Sequence, residues 1–182
     1  FAWDSTLPTW LGVMRRGGDG KDLRWYKGPG FMATHTMGNW SEGEKIYLDM
    51  DGDVSNQFPF FPQLHEKYDP VKGAGRVLRV RVDLARDKVH EYDYEWAYPG
   101  LQGALARQDD RYHTVPYRYG FLNGLAFGPD STSKWHMIDH QTGKVRSYDP
   151  GPGVALSELC FAPRRKGAAE ADGYIVGVAS NQ

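Results

Sequence analysis

Residues 77–84 alternate without a break. Val77, Arg79, Arg81 and Asp83 interleave with Leu78, Val80, Val82 and Leu84. That period of two is the signature of a β-strand with two unlike faces. Short runs of the same kind recur along the chain. They predict strands at Leu11–Arg15, Leu23–Tyr26, Phe31–His35, Lys45–Asp49, Arg76–Asp83, Lys88–Tyr94, Tyr119–Asn123, Lys134–Asp139, Lys144–Ser147, Leu156–Ala162 and Gly173–Val178. Between them lie tight polar connections: Gly17-Gly18-Asp19-Gly20, Asp51-Gly52-Asp53, Gln141-Thr142-Gly143 and Asp149-Pro150-Gly151-Pro152-Gly153. No segment carries a long helical period, and only Gly100–Arg107 reads as a short helix or loop. The expected fold class is therefore all-β: a sandwich, a barrel or a propeller.

A hairpin of the form strand, Asp, Thr-Gly turn, strand occurs at Trp135–Val145, with an approximate copy at Arg79–Val89. Such hairpins recur in propeller blades. At about 40–45 residues per blade, 182 residues would hold about four blades, too few to close a ring. The pattern alone leaves a sandwich and a propeller equally open.

The composition excludes several function classes. The chain is 40% hydrophobic and 25% charged with a net charge of −1, and no basic stretch suggests nucleic acid. No apolar run approaches the roughly 20 residues of a membrane span, so any membrane contact is expected to be peripheral. The single cysteine, Cys160, rules out an internal disulfide or a multi-cysteine zinc site. Flanked by Leu159 and Phe161, it is expected to be a buried structural thiol. No signal peptide is seen, and one cysteine suits a cytoplasmic protein. Because the chain starts at Phe1 and stops abruptly after a strand, residues 1–182 are expected to be a single segment of a longer protein.

Three local motifs carry chemistry. In Thr34-His35-Thr36-Met37-Gly38-Asn39-Trp40-Ser41-Glu42-Gly43, one histidine follows the apolar run Phe31-Met32-Ala33. A neutral imidazole there could ligate iron, or simply be hydrogen-bonded in the core. Asp49-Met50-Asp51-Gly52-Asp53 hints at calcium, but its glycine is misplaced for a Ca²⁺ loop, and a charged turn is expected. The loop Phe58-Pro59-Phe60-Phe61-Pro62 fits either packing or the wall of an aromatic substrate tunnel. Asn39-Trp40-Ser41 is a formal glycosylation sequon inside the histidine motif, and it is discounted.

Several motifs in order resemble the carotenoid cleavage oxygenase family, most closely its lignostilbene dioxygenase branch. They are Leu11–Gly18 with Arg24-Trp25-Tyr26, then His35–Gly43, Phe58–Pro62, Arg107–Phe121, and Ser157–Arg164 with Glu170–Tyr174. The resemblance covers nearly the whole chain. It implies part of a seven-bladed β-propeller carrying Fe(2+) on its axis, bound by four histidines. Only His35 matches a ligand position, the others falling outside these residues. His65, His90, His113, His136 and His140 match none and are expected at the surface. Glu158 matches an acid that holds the second ring N–H of a ligand histidine. Ala104 stands where a further acid, partner of the histidine equivalent to His35, is expected, and Glu95 is out of register to replace it. Gly38 stands where Asn is usual.

The resemblance implies a dioxygenase that uses Fe(2+) and O₂ to cleave a conjugated C=C bond of a stilbene-type phenolic or apocarotenoid, giving two carbonyl products. Phe58, Phe60 and Phe61 would contact that hydrophobic substrate. With one ligand, the 182 residues alone are expected to be inactive. The alternative, favoured by Ala104 and Gly38, is a non-catalytic propeller that binds or scaffolds.

Overall fold

The computed structural model describes residues 2–61, 63–86, 90–124 and 132–181. Apart from single 3₁₀ turns, every regular element is a strand. β1 (Thr9–Val13) pairs with β2 (Arg24–Gly28). β3 (Met32–Glu42), β4 (Lys45–Asp53), β5 (Arg76–Asp83) and β6 (Asp93–Ala97) form an antiparallel meander in chain order. A second meander follows: β7 (Ala104–Gln108), β8 (Tyr119–Gly124), β9 (Lys134–Asp139) and β10 (Lys144–Tyr148). β11 (Val154–Pro163) then pairs with β12 (Gly173–Asn181). Two complete four-stranded blades thus lie between two two-stranded sheets. The first strands of successive sheets, β3, β7 and β11, approach one another, as the inner strands of neighbouring propeller blades do. This is the partial, open propeller that the sequence predicts. No helix among the described residues is long and apolar enough to cross a membrane.

β5 shows why the alternation matters. Leu78, Val80 and Val82 point one way, into a cluster with Tyr26, Phe31, Met50 and Tyr92 that joins the β1–β2 sheet to the first blade. Val77 points the other way, into Met37, Ala106, Leu122 and Ile138, which join the two blades. Each fully buried aliphatic side chain contributes about 1.5–3 kcal/mol, so β5 is held from both faces. Beyond it, Phe121 of β8 stacks on Phe161 of β11, centroids 5.6 Å apart, and carries the packing into the last sheet.

Several expectations are corrected. β3 does not stop at His35 but runs to Glu42, and β4 runs on to Asp53. Asp51-Gly52-Asp53 is therefore strand, not a charged turn, and Asp49, Asp51 and Asp53 are at most 1% exposed. They alternate along one face of β4, and each has partners. Arg79 binds Asp49 through two hydrogen bonds of 2.7 and 2.8 Å, and Arg76 binds Asp53 likewise at 3.2 and 2.6 Å. Asp51 accepts from the Thr34 hydroxyl and the Ala106 amide. Buried charge is tolerated only when so matched.

Where a helix or loop is expected before Arg107, the chain forms β7. β6 starts at Asp93, later than expected, and residues 88 and 89 of that expected strand lie outside the described residues. Cys160 is exposed. Period two puts a residue on the opposite face from its sequence neighbours, so buried Leu159 places Cys160 outward. His65, His90 and His113 are exposed as expected, but His136 and His140 are half-buried.

His140 closes a polar link between the blades. Its Nδ1 accepts from the Tyr98 hydroxyl at 2.6 Å and lies 3.5 Å from Arg79, whose guanidinium holds Asp49. Burial, only partly opposed by Asp49, pushes the His140 pKa down to about 4. An unfolded histidine titrates near 6.5, so between about pH 6.5 and 4 the unfolded chain binds the extra proton. Stability therefore falls as pH drops through that window, by at most about 3 kcal/mol for this group. Urea midpoints of the wild type and His140→Gln at pH 7 and pH 4.5 should show the wild type losing more on acidification. An equal loss in both would contradict this.

Candidate metal centre

β3 contains two β-bulges, and the first sits at the histidine. Ala33 opposes Gly52 and His35 opposes Asp51, so Thr34 is the extra residue. A bulge re-aims the side chains beside it and is common next to functional sites. Thr34 and His35 both reach the wall of a cavity of about 310 Å³, with Gln57, Phe58, Phe60, Ala104 and Leu105 among its other walls. His35 is half-buried. Among the described residues no side chain hydrogen-bonds its ring, so a nitrogen lone pair is free to bind a metal.

The opposite wall comes from β7, which is bulged as well. Ala104 opposes Asn123 and Arg107 opposes Phe121, leaving Leu105 and Ala106 both against Leu122. Leu105 has φ 56°, a left-handed conformation that is uncommon outside glycine. The bulge turns the Ala106 amide off the ladder, and it donates to Asp51 Oδ1 at 3.0 Å. Asp51 thus binds both bulges. Burial pushes its carboxyl up, against the opposing pull of the Thr34 hydroxyl, the Ala106 amide and nearby His35.

The aromatic loop forms the third wall. Buried Asn56 donates to the Phe58 and Phe61 carbonyls at 2.8 and 2.9 Å, and its Oδ1 accepts from the Phe58 amide at 2.9 Å. The three phenylalanine rings lie edge-to-face or tilted, 4.7–5.5 Å apart. Phe58 and Phe60 line the cavity while Phe61 braces them. Phe60 is 71% exposed, so much of its flat apolar ring is left uncovered beyond its contacts with Phe58 and Phe61. Pro62, at the end of the loop, lies outside the described residues.

Ala104 and His35 line the same cavity. Glu95, by contrast, is exposed on β6 and does not line it. Glu158, on β11, is not part of this cavity. Its half-exposed carboxylate pairs with half-exposed Arg107. Asn56 carries no motif in the sequence, and Asp51 enters it only within the Asp49–Asp53 run read as a charged turn. An Asp in an Asp-Gly-Asp run and an Asn before a Phe-Pro loop both read as turn residues, and only the cross-strand pairing shows otherwise.

Gly38 has a local reason. A Cβ there would sit 2.4 Å from Gln108 Oε1 and 2.6 Å from Tyr117 Cε1, so Tyr117 fills the space a side chain would need. The Tyr117 hydroxyl donates to Asp49 at 2.5 Å. Gly38→Asn should displace Tyr117 and destabilise the protein by about 1–3 kcal/mol, read as a lower thermal midpoint. An unchanged midpoint would mean that Tyr117 can move freely.

Among the described residues, no group of three or more His, Cys, Asp or Glu side chains could hold a metal. His35 offers one imidazole, a donor type suited to iron.

The family model for retinal pigment epithelial membrane protein matches residues 1–182. Over 198 residues the chain is 37% identical to lignostilbene-α,β-dioxygenase isozyme III of Sphingomonas paucimobilis, covering 100% of this chain and 40% of the relative. It is 29% identical over 197 residues to isoeugenol monooxygenase of Pseudomonas putida, covering 98% and 39%. The crystal structure of Pseudomonas brassicacearum lignostilbene dioxygenase superposes with a TM-score of 0.86 at 28% identity, covering 98% of this chain and 40% of that one. A Synechocystis apocarotenoid oxygenase mutant, at 16% identity and a TM-score of 0.76, shares the fold. The chain spans about 40% of the length of the curated relatives it matches. With a family match over its whole length, this chain belongs to the retinal pigment epithelial membrane protein family, the carotenoid cleavage oxygenases.

Proposed function

We propose that the protein containing this chain is a non-haem Fe(2+) dioxygenase. It would cleave a conjugated C=C bond of a stilbene-type phenolic with O₂, giving two carbonyl products. The observation that carries this reading is His35, at a bulge on an aromatic-walled cavity, with no side chain among the described residues bonded to its ring. The 37% identity to a lignostilbene dioxygenase supports the same substrate class.

His35 would supply one neutral imidazole nitrogen to the iron, and the remaining ligands would come from outside these residues. The bound metal would supply the oxygen chemistry. The chain's own contribution is positional. Phe58 and Phe60 would hold a flat conjugated substrate by stacking and edge contacts, fixing which bond lies nearest the metal. The largely apolar wall around His35 would keep water from the reacting bond. Glu158, its carboxylate fixed by Arg107, is proposed to orient a ligand histidine outside this segment. We place the protein in the cytoplasm, a reading supported by the single cysteine among these 182 residues.

Ala104 favours one competing reading, a non-catalytic propeller, because alanine cannot accept a hydrogen bond from a ligand histidine. The intact, iron-loaded protein should be incubated with a phenolic stilbene and O₂, and the products identified by mass spectrometry. Two aldehydes, each carrying one oxygen from labelled O₂, are expected. No cleavage of a stilbene or of an apocarotenoid by the iron-replete protein would favour the non-catalytic reading.

A further inference from the structure

We propose that Asp51 is the positioning residue of His35, the role left vacant at Ala104. This rests on the reading of His35 as an iron ligand. Three independent geometric facts converge on one carboxylate. First, the β3 bulge sets both Thr34 and His35 opposite Asp51 across the β3–β4 ladder. Second, the Thr34 hydroxyl donates to Asp51 Oδ2, which fixes the residue next to the ligand and so the conformation of the bulge. Third, the β7 bulge lends its Ala106 amide to Asp51 Oδ1 at 3.0 Å, tying the opposite wall of the same cavity to the same group.

The two bulges are the irregular, and therefore deformable, parts of the inner strands. Left to itself, the Thr34–His35 bulge has no reason to hold one orientation of the imidazole. Asp51 joins it to the Leu105–Ala106 bulge across the cavity. The carboxylate is completely buried, so water does not compete for its two hydrogen bonds. An acid at position 104 would reach His35 from the β7 wall, whereas Asp51 acts from the neighbouring strand.

The test uses the intact protein and two readouts besides turnover: Fe(2+) affinity by anaerobic titration, and the visible absorption of bound Co(2+), which reports ligand geometry. Asp51→Asn keeps the shape and an oxygen for the Ala106 amide but removes the charge. Thr34→Val keeps the charge and removes the hydroxyl. A buried acid with a merely structural role would lower the melting temperature and leave a folded sample's metal spectrum unchanged. The expected result is a fall in Fe(2+) affinity of about 10–100-fold for D51N, with a shifted Co(2+) spectrum. T34V should shift the spectrum in the same sense, and Ala104→Glu added to D51N should restore affinity. Should D51N fail to fold, T34V carries the test. Folded variants with wild-type affinity and spectrum, beside a His35→Ala protein that has lost its metal, would overturn the role of Asp51 alone. If His35→Ala also keeps its metal, the ligand reading itself falls, and Asp51 with it.

Discussion

Asp49→Ala should destabilise the protein by about 3–5 kcal/mol. Asp49 is fully buried. It receives two hydrogen bonds from Arg79 and one from the Tyr117 hydroxyl. Removing it strands a mostly buried guanidinium and a buried phenol at once. Breaking a buried pair by deleting one partner is far costlier than the net worth of the pair, because an uncompensated charge remains. The loss also reaches beyond one strand. Asp49 lies on β4, while Tyr117 precedes β8 in the next blade, so the contact helps to hold the blades together. Two residues further along β5 is a built-in control. Arg81 pairs with Asp93, but the two side chains are 44% and 47% exposed, where an ion pair contributes about 0–1 kcal/mol. Asp93→Ala should therefore barely move the urea midpoint that Asp49→Ala lowers steeply. Similar shifts for the two variants would refute the distinction.

How legible these features are in the sequence varies with what determines them. β5 and β9 stand at their expected bounds because local alternation, or a strand bounded by turn residues, specifies them. β7 was not legible. Its five residues contain a left-handed Leu105 and a bulge, which break the period that would have revealed it. The end of β4 misleads for a different reason. Asp51-Gly52-Asp53 has the composition of a turn, and it is extended because its carboxylates meet partners from β3, β5 and β7. That information lies far away in the chain. Gly38 suggested an eroded site when read against the family pattern, and the structure gives it a packing role beneath Tyr117. That His35 and the Phe58–Pro62 loop deserved notice was legible in the family resemblance, and the structure places His35, Phe58 and Phe60 on one cavity. Asp51 and Asn56, which hold those two features in place, carry no sequence signal separable from that of a turn.

The second large effect concerns the ligand itself. As the proposed ligand, His35 would contribute a single bond, but metal affinity comes from ligands preorganised together, and losing one opens the set. His35 is only half-buried, and no other described side chain bonds its ring, so its removal should cost the fold little. His35→Ala should thus separate iron binding from folding. The decisive measurement is the iron content of the intact protein, wild type and His35→Ala, after anaerobic equilibration with Fe(2+) and gel filtration, with circular dichroism recorded on the same samples. The expected result is about one iron per chain in the wild type, iron near background in the variant, and matching spectra. A folded His35→Ala protein that retains wild-type iron would contradict the assignment of His35 and the metal centre built on it.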